Sequence, residues 1–408
     1  MTTAFNPNAP ETIVNPYPGL AELREREPMH WNPVSRAWFI TRYDDIRAAF
    51  RDKRLSADRI MPFVEAQKHG KDGDEIAYLG EHISLWAVFN DPPRHTHLRG
   101  LMNKAFTTRR VEQLRADVAG IVEDLVRDWE DGQEIDFHKA FAYPLPATVI
   151  ALLLGVPQQD VEHLKRWSDA LAQFVLTSKT NEDKYRVAAG ALREMNDYFG
   201  DFLAARRRNP GELVTDGLIS ASDEGDRLTA EELTASCILL LFAGHETTTQ
   251  LLANGLNSLI AHPDQMEDFR ANRDDRKFVD NAVEELLRFD GPSLTSPRIA
   301  ADDFELHGQT ARAGQRLWLW NCAANRDPSV FENPDRLDLR RSNADRHVTF
   351  GFGVHFCIGA PLARLEAQVA FPILLKHFSG FERLNETQAW SDSYVSRGMT
   401  TMPIRLHR

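Results

Sequence analysis

The stretch FGFGVHFCIG, residues 350–359 of a 408-residue chain, concentrates more chemistry than any other. Cys357 stands there between glycines and aromatics. Gly351, Gly353 and Gly359 allow positive φ and close backbone approach, which suits a tight loop pressed against something flat. A helix is expected to start near Ala360-Pro361, with proline in its first turn. Its first N–H groups and the positive end of its dipole then point back at the sulfur and favour a thiolate. A thiolate held in a rigid loop, with no second cysteine nearby, suits a metal that brings its other ligands along, as haem iron does. Taken alone, such a residue reads more readily as a buried structural cysteine in a glycine-rich turn.

Three further groupings carry chemistry. In EELLR, Glu285 and Arg288 lie three apart, so on a helix they face the same way and can pair; most such pairs are solvated surface charges. In AGHETTT, residues 243–249, an acid and hydroxyls sit inside an apolar helix, where burial is costly unless they have partners. Threonines bonding back to the preceding turn would be the structural explanation. In NDPPRHTHLRGLMNKAF, Asp91 and Pro92-Pro93 predict a helix start. His95 and Arg99 then share a face, and two donors on one face suit an anion; an exposed basic helix is the alternative.

FGFGVHFCIG matches F-G-x-G-x-H-x-C-x-G at every specified position, and so resembles the haem-binding signature of the cytochrome P-450 family. The other groupings occur in that family's order, and the chain is similar to its soluble bacterial type from the NPYPGLAELRE opening to the C-terminal strand. The resemblance implies a mainly α fold with small β-sheets, holding haem b between a long central helix and the cysteine loop and helix. It implies Cys357 as the iron ligand, with Phe350, Gly351 and Gly359 around it. Ala243 and Gly244 would leave room for dioxygen, which Thr247 would hold by a hydrogen bond while Glu246 helps deliver protons. His95 and Arg99 would reach one haem propionate, Arg298 and His355 the other. Glu285 and Arg288 would form a buried ion pair joined by an arginine of FENPDRLDLRR, taken as Arg336, to brace the cysteine loop. The chain departs from the pattern at Glu246, where bacterial members commonly have aspartate, and at Leu337, where phenylalanine is frequent.

The same resemblance implies a monooxygenase that hydroxylates an unactivated C–H bond of a small to medium hydrophobic substrate, such as a terpenoid, an aromatic or a fatty acid. The reaction consumes O2 and two electrons. No second cysteine cluster and no G-x-G-x-x-G opening a βαβ unit is present. The electrons are therefore expected from a 2Fe–2S ferredoxin with an NAD(P)H-dependent reductase, docking on Lys104, Arg109, Arg110 and Arg364. The expected pocket comprises Leu239, Phe242 and Ala243, then Leu294 and Thr295, then Val395, with Phe242 narrowing it directly over the haem. Residues 60–90, including Trp86, should add a wall and a lid, and LAQFVLTSKTN a second lid edge. A peroxide-driven peroxygenase usually lacks the acid–alcohol pair that Glu246 and Thr247 supply. A non-catalytic haem sensor or carrier would need a signalling element that the sequence does not reveal.

Helices must position nearly all of these residues. DYFGDFLAARRRN, RKFVDNAVEELLRF and APLARLEAQVAFPILLKHF show apolar residues at three- and four-residue spacing. The longest helix is expected from the capping box Thr229/Glu232 to His262-Pro263, roughly 50 Å at 1.5 Å per residue. Strands are short: AWFIT near residue 40, RIAADDFELHGQTARAGQRLWLWN as a meander, and TMPIRL at the end. One domain over residues 1–408 is the economical reading. A net charge of −12 argues against nucleic acid or an anionic membrane as partner. The three cysteines are too few and too scattered for a disulfide framework or a structural zinc site. No apolar run approaches the roughly 20 residues of a membrane span, and no secretory signal opens the chain. A cytoplasmic protein, monomeric and free of membrane, is expected.

Overall fold

A computed structural model describes residues 5–175, 183–223 and 228–408. Its chain gathers into two compact units. The first comprises residues 1–55, 112–146 and 246–408, the second residues 56–111 and 147–245.

The first unit is built on a sheet in which strands Met29–Asn32, Ala37–Ile40, Arg316–Leu319 and Ser296–Ala300 are successive neighbours. Ala37–Ile40 pairs in parallel with Arg316–Leu319, which pairs antiparallel with Ser296–Ala300. The stretch expected as one meander is therefore divided. Phe304–Leu306 and Gln309–Ala311 form a separate hairpin, because His307 and Gly308 both take positive φ, as a two-residue hairpin turn requires. Met29, Ile40, Phe50, Leu317, Leu319, Phe331 and Val348 fill the core against this sheet. The C-terminal strand Pro403–His407 lies between Glu134–Asp136 and Gly380–Arg383, antiparallel to both. Helices Arg276–Asp290 and Ala360–His377 carry the EELLR motif and follow the cysteine loop respectively. Asp275 caps the first of them, its carboxylate accepting from the N–H groups of Lys277 and Phe278.

The second unit is helical. Val161–Val175 packs on Lys184–Arg208, and Arg94–Ala105 on Val214–Asp223. The helix bearing His95 begins at Arg94 without a side-chain cap. Asp91, expected to start it, instead accepts from the Ser56 hydroxyl and the Ala57 N–H. Residues 176–181 of the expected second lid edge lie outside the described residues.

The central helix, Ala230–Ala261, has 32 residues and is about 48 Å long. Its capping box is reciprocal: Glu232 N–H donates to the Thr229 hydroxyl and Thr229 N–H to the Glu232 carboxylate, each at 3.1 Å. At the far end Pro263 stops it and opens the next helix, Pro263–Ala271. No described helix is long and apolar enough to cross a membrane.

Candidate active site

The cysteine loop is shaped by two left-handed glycines, Gly351 at φ +71° and Gly353 at φ +73°. A side chain at Gly353 would also meet the Phe50 carbonyl oxygen at 3.3 Å. Cys357 N–H donates to the Phe350 carbonyl at 2.9 Å and closes the loop. Phe352 lies under the guanidinium groups of Arg47 and Arg51, at 4.3 and 4.4 Å from its ring centre. Gly359 then caps the helix Ala360–His377 with no side-chain partner, and the space for its missing Cβ is 3.8 Å from the Cys357 sulfur. The positive end of that helix therefore sits beside the sulfur. Cys357 is half-buried, whereas Cys237 and Cys322 are fully enclosed, and burial pushes both of their thiols up to about 12.

Behind the loop, Arg288 grips Glu285 through two bonds, Nε to Oε2 at 2.6 Å and Nη2 to Oε1 at 2.8 Å, with both side chains wholly buried. The third member is Arg341, not Arg336: Arg341 Nε lies 3.2 and 3.1 Å from the two Glu285 oxygens. The chain turns so that Arg336 exposes its side chain and offers only its carbonyl, which accepts from Arg288 at 3.2 Å and Arg341 at 3.1 Å. The Asp338 N–H adds a bond to Glu285 at 2.9 Å. From this knot Arg288 donates to the Asn325 carbonyl, and the Asn325 side chain bonds the Val348 N–H and the Thr349 hydroxyl, each at 2.8 Å. Thr349 closes the circuit on the Leu287 carbonyl at 2.8 Å. Polar bonds thus run from the EELLR helix to the residue before Phe350.

A second brace escaped sequence reasoning. Glu284, next to the motif acid, takes two bonds from Arg364 at 2.6 and 2.9 Å and lies 3.0 Å from His347. Burial alone would raise the Glu284 carboxyl, but these partners bring it down to about 2. Arg364 also covers the Phe350 ring at 4.6 Å. It is engaged inside this unit, with its side chain 27% exposed. Only the family's order of motifs hinted at this region, and nothing in it marked Glu284.

Along the central helix, Ala243 and Thr247 are exposed one turn apart while most of their neighbours are buried. Gly244 answers a packing need: a Cβ there would come within 2.8 Å of Ile150. Phe242 is turned into the second unit, buried beside Trp86 with ring centres 5.4 Å apart, and Trp86 stacks on Phe89. Ala243 flanks the exposed strip of the helix, and Phe242 packs against Trp86, another of the expected pocket residues. Leu239 is buried as well. Glu246 is half-exposed at its surface, yet protein crowds its carboxyl, and this burial raises it to about 7.

The candidate anion-binding residues are divided between the units. In the second, His95 is buried and Arg99 follows one turn on. Burial and then the Arg99 charge hold the imidazole below its usual range. In the first, Arg298 is buried with its guanidinium 5.3 Å from the Phe50 ring centre, and His355 is half-buried within the cysteine loop. Three expected pocket residues do come together there. The Val395 carbonyl accepts from the N–H groups of Leu294 and Thr295, while the Thr295 hydroxyl donates to Tyr394. Of the remaining docking candidates, Lys104 and Arg109 are exposed, whereas Arg110 donates to the Ala105 carbonyl at 3.0 Å.

The cytochrome P450 family model matches residues 31–393. The chain belongs to the cytochrome P450 family. It is 35% identical to the polyketide biosynthesis cytochrome P450 PksS of Bacillus subtilis, over 99% of each chain. The solved structure of PksS superposes with a TM-score of 0.87, covering 99% of this chain and all of that one. The vitamin D(3) 25-hydroxylase of Pseudonocardia autotrophica is 37% identical, over 96% of this chain and 94% of its own. The 6-deoxyerythronolide B hydroxylase of Saccharopolyspora erythraea is 36% identical over both full lengths. The family stretch runs through both compact units, and the P450 is a monooxygenase whose cofactor is haem b. The donors present fit that group. One accessible sulfur sits at a helix N-terminus, the middle of the central helix is exposed at an alanine and a threonine, and the guanidinium of buried Arg298 is of the type that suits a carboxylate.

Proposed function

We propose that this P450 hydroxylates an unactivated C–H bond of a small to medium hydrophobic substrate, of terpenoid, aromatic or fatty-acid type. It would use O2 and two electrons from a 2Fe–2S ferredoxin served by an NAD(P)H-dependent reductase. The reading rests on the Cys357 loop: a single accessible sulfur, fixed by backbone bonds, aimed from a helix N-terminus and braced by two polar networks. When bound through a thiolate, haem supplies the oxygen-activating chemistry.

This chain's residues do the rest. Cys357 would ligate the iron, with Phe350, Gly351 and Gly359 giving it room. Arg298 and His355 would hold one propionate, and Arg99 with a ring N–H of His95 the other, as hydrogen-bond donors for carboxylates. The Thr247 hydroxyl, on the exposed strip of the helix, would hold a proton in place. The Glu246 carboxyl, raised to about 7, would give and retake one near neutral pH. Leu294, Thr295 and Val395 form a pocket wall whose one hydroxyl is already bonded, so it presents mostly apolar surface. The relatives' names, from polyketide biosynthesis to vitamin D(3), do not single out one substrate. Exposed Lys104 and Arg109 remain the candidates for ferredoxin docking.

The test is the absorption spectrum of the purified, reduced protein under carbon monoxide, compared with Cys357→Ser. A strongly red-shifted Soret band in the parent, lost in the variant, is expected. A band typical of imidazole-ligated haem in the parent would end the reading. Hydrophobic compounds would then be screened by spin-state shift, and Lys104→Glu with Arg109→Glu should raise the KM for ferredoxin.

A further inference from the structure

Val395 lies in residues 391–398, which belong to no strand or helix, and one isolated bridge, Ser293 to Ser396, pairs them with the neighbouring wall segment. A backbone so loosely laddered takes its position from side chains, and the side chain buried behind it is Arg397, 5% exposed. Its Nε donates to Asp290 at 2.6 Å, while Nη1 and Nη2 donate to the carbonyls of Ile13 and Val14, each at 3.1 Å. Ile13 and Val14 end the short helix Pro10–Val14, whose last carbonyls have no partner within it. The Tyr17 hydroxyl donates to the same Asp290 oxygen, and the Tyr17 ring lies 3.5 Å from the Arg326 guanidinium. The backbone of Arg397 is tied as well. Its N–H donates to the Pro292 carbonyl at 2.7 Å, and its carbonyl accepts from Asn254 at 2.9 Å. Asn254 also donates to the Asp290 carbonyl at 3.0 Å, and it follows Thr247 by two turns on one face of the central helix. Beside it, a Cβ at Gly398 would collide with the Gln250 side chain. All of these residues belong to the first unit.

We propose that Arg397 is a positioning residue for substrate selection: it sets the wall of Leu294, Thr295 and Val395 against the central helix, with the N-terminal arm as its outer anchor. The inference rests on the reading of those three residues as pocket wall. Val395 stands two residues before Arg397, and its carbonyl accepts from the N–H groups of Leu294 and Thr295, so a shift of the loop carries all three along. A planar guanidinium with acceptors in three directions fixes orientation as well as place. A staple that only closed the fold would need no more than the Asp290 pair. The bonds to the arm and to Asn254 are the ones that give the wall its register.

The experiment compares the haem-loaded parent with Arg397→Lys, which keeps the charge and can reach Asp290 but cannot serve both arm carbonyls. Hydrogen exchange read by mass spectrometry should accelerate about tenfold in residues 293–295, while the strand Pro403–His407 keeps the parent's rates. Two probes of the ferric haem are then titrated by their Soret shifts. Imidazole is small enough to reach iron without the wall, whereas phenylimidazole carries a ring that must pack against it. Arg397→Lys should weaken phenylimidazole by about tenfold and leave imidazole within about twofold. Tyr17→Phe, which removes one bond from Asp290 and none from Arg397, should give the same split at smaller amplitude. Exchange that quickens evenly over the whole unit, or a ratio of the two affinities that stays at the parent's value, would mean that Arg397 serves stability alone and overturns the proposal. Val395→Ala tells the two possible failures apart. If it leaves phenylimidazole unaffected, the wall reading has failed and the proposal with it; if it weakens phenylimidazole where Arg397→Lys does not, the proposal alone has failed.

Discussion

Two buried carboxyl groups, Glu285 behind the cysteine loop and Glu246 on the central helix, live under opposite rules. Glu285 receives five polar contacts from Arg288, Arg341 and the Asp338 backbone, and nothing around it is left to move. Among the described residues no such set of cations is seen at Glu246, and burial raises its carboxyl to about 7. A saturated charge fixes geometry, since breaking any bond strands a buried ion. A carboxyl raised by burial to about 7 would leave its proton mobile near neutral pH. On the proposed reading, the brace would hold the sulfur still and the central helix would handle protons.

Four changes would break or sharpen this contrast. Glu285→Ala leaves two buried guanidinium groups without a counter-charge and should cost about 3–5 kcal/mol, read by denaturant unfolding of the haem-loaded protein; a loss under about 1 kcal/mol would mean the knot does not bear on stability. Glu246→Gln holds that side chain permanently neutral with nothing to donate, so product formation should drop on the order of 100-fold, or about 2.7 kcal/mol. Because the parent's acid form is present below about 7 and lost above it, the parent's rate should fall as pH rises through that value. The variant's profile should lack that limb, and a parent rate that climbs steadily through the same range would contradict the assignment. Arg341→Ala should destabilise by about 2 kcal/mol, as loss of charged hydrogen bonds does, while Arg336→Ala should stay within about 0.5 kcal/mol. Equal effects would restore Arg336 to the knot. Smallest, Gly244→Ala should cost about 1 kcal/mol by overpacking against Ile150. Adding Ile150→Val should not relieve it fully, because both the Cγ1 and Cδ1 of Ile150 lie 2.8 Å from the introduced methyl, whereas Ile150→Ala should; no rescue by either would place the strain elsewhere.

Much of this was readable before any coordinates. The capping box at Thr229 and the stop at Pro263 set the central helix to within a residue of its observed ends, since both signals act through local backbone bonds. Of the three glycines expected to allow positive φ, Gly351 and Gly353 take left-handed turns while Gly359 stays at φ −78°; the family resemblance, not the spacing alone, implied the buried Glu285–Arg288 pair. Misreadings arose where the partner lies far along the chain. FENPDRLDLRR offers three arginines, and spacing cannot tell which guanidinium turns inward; only the fold of that irregular segment selected Arg341. Arg364 looked like a surface cation until Glu284, on another helix, was found against it.

By itself, then, the sequence determined the family, the candidate thiolate, the candidate acid–alcohol pair and the mainly helical architecture, because each depends on residue type and short-range spacing. Tertiary structure alone decided which arginine completes the buried knot, which small residue on the central helix stays open, and that Asn254 bonds the Arg397 carbonyl. Those outcomes depend on packing between distant segments, where a side chain's charge state and exposure follow from its neighbours in space, and no local pattern encodes them.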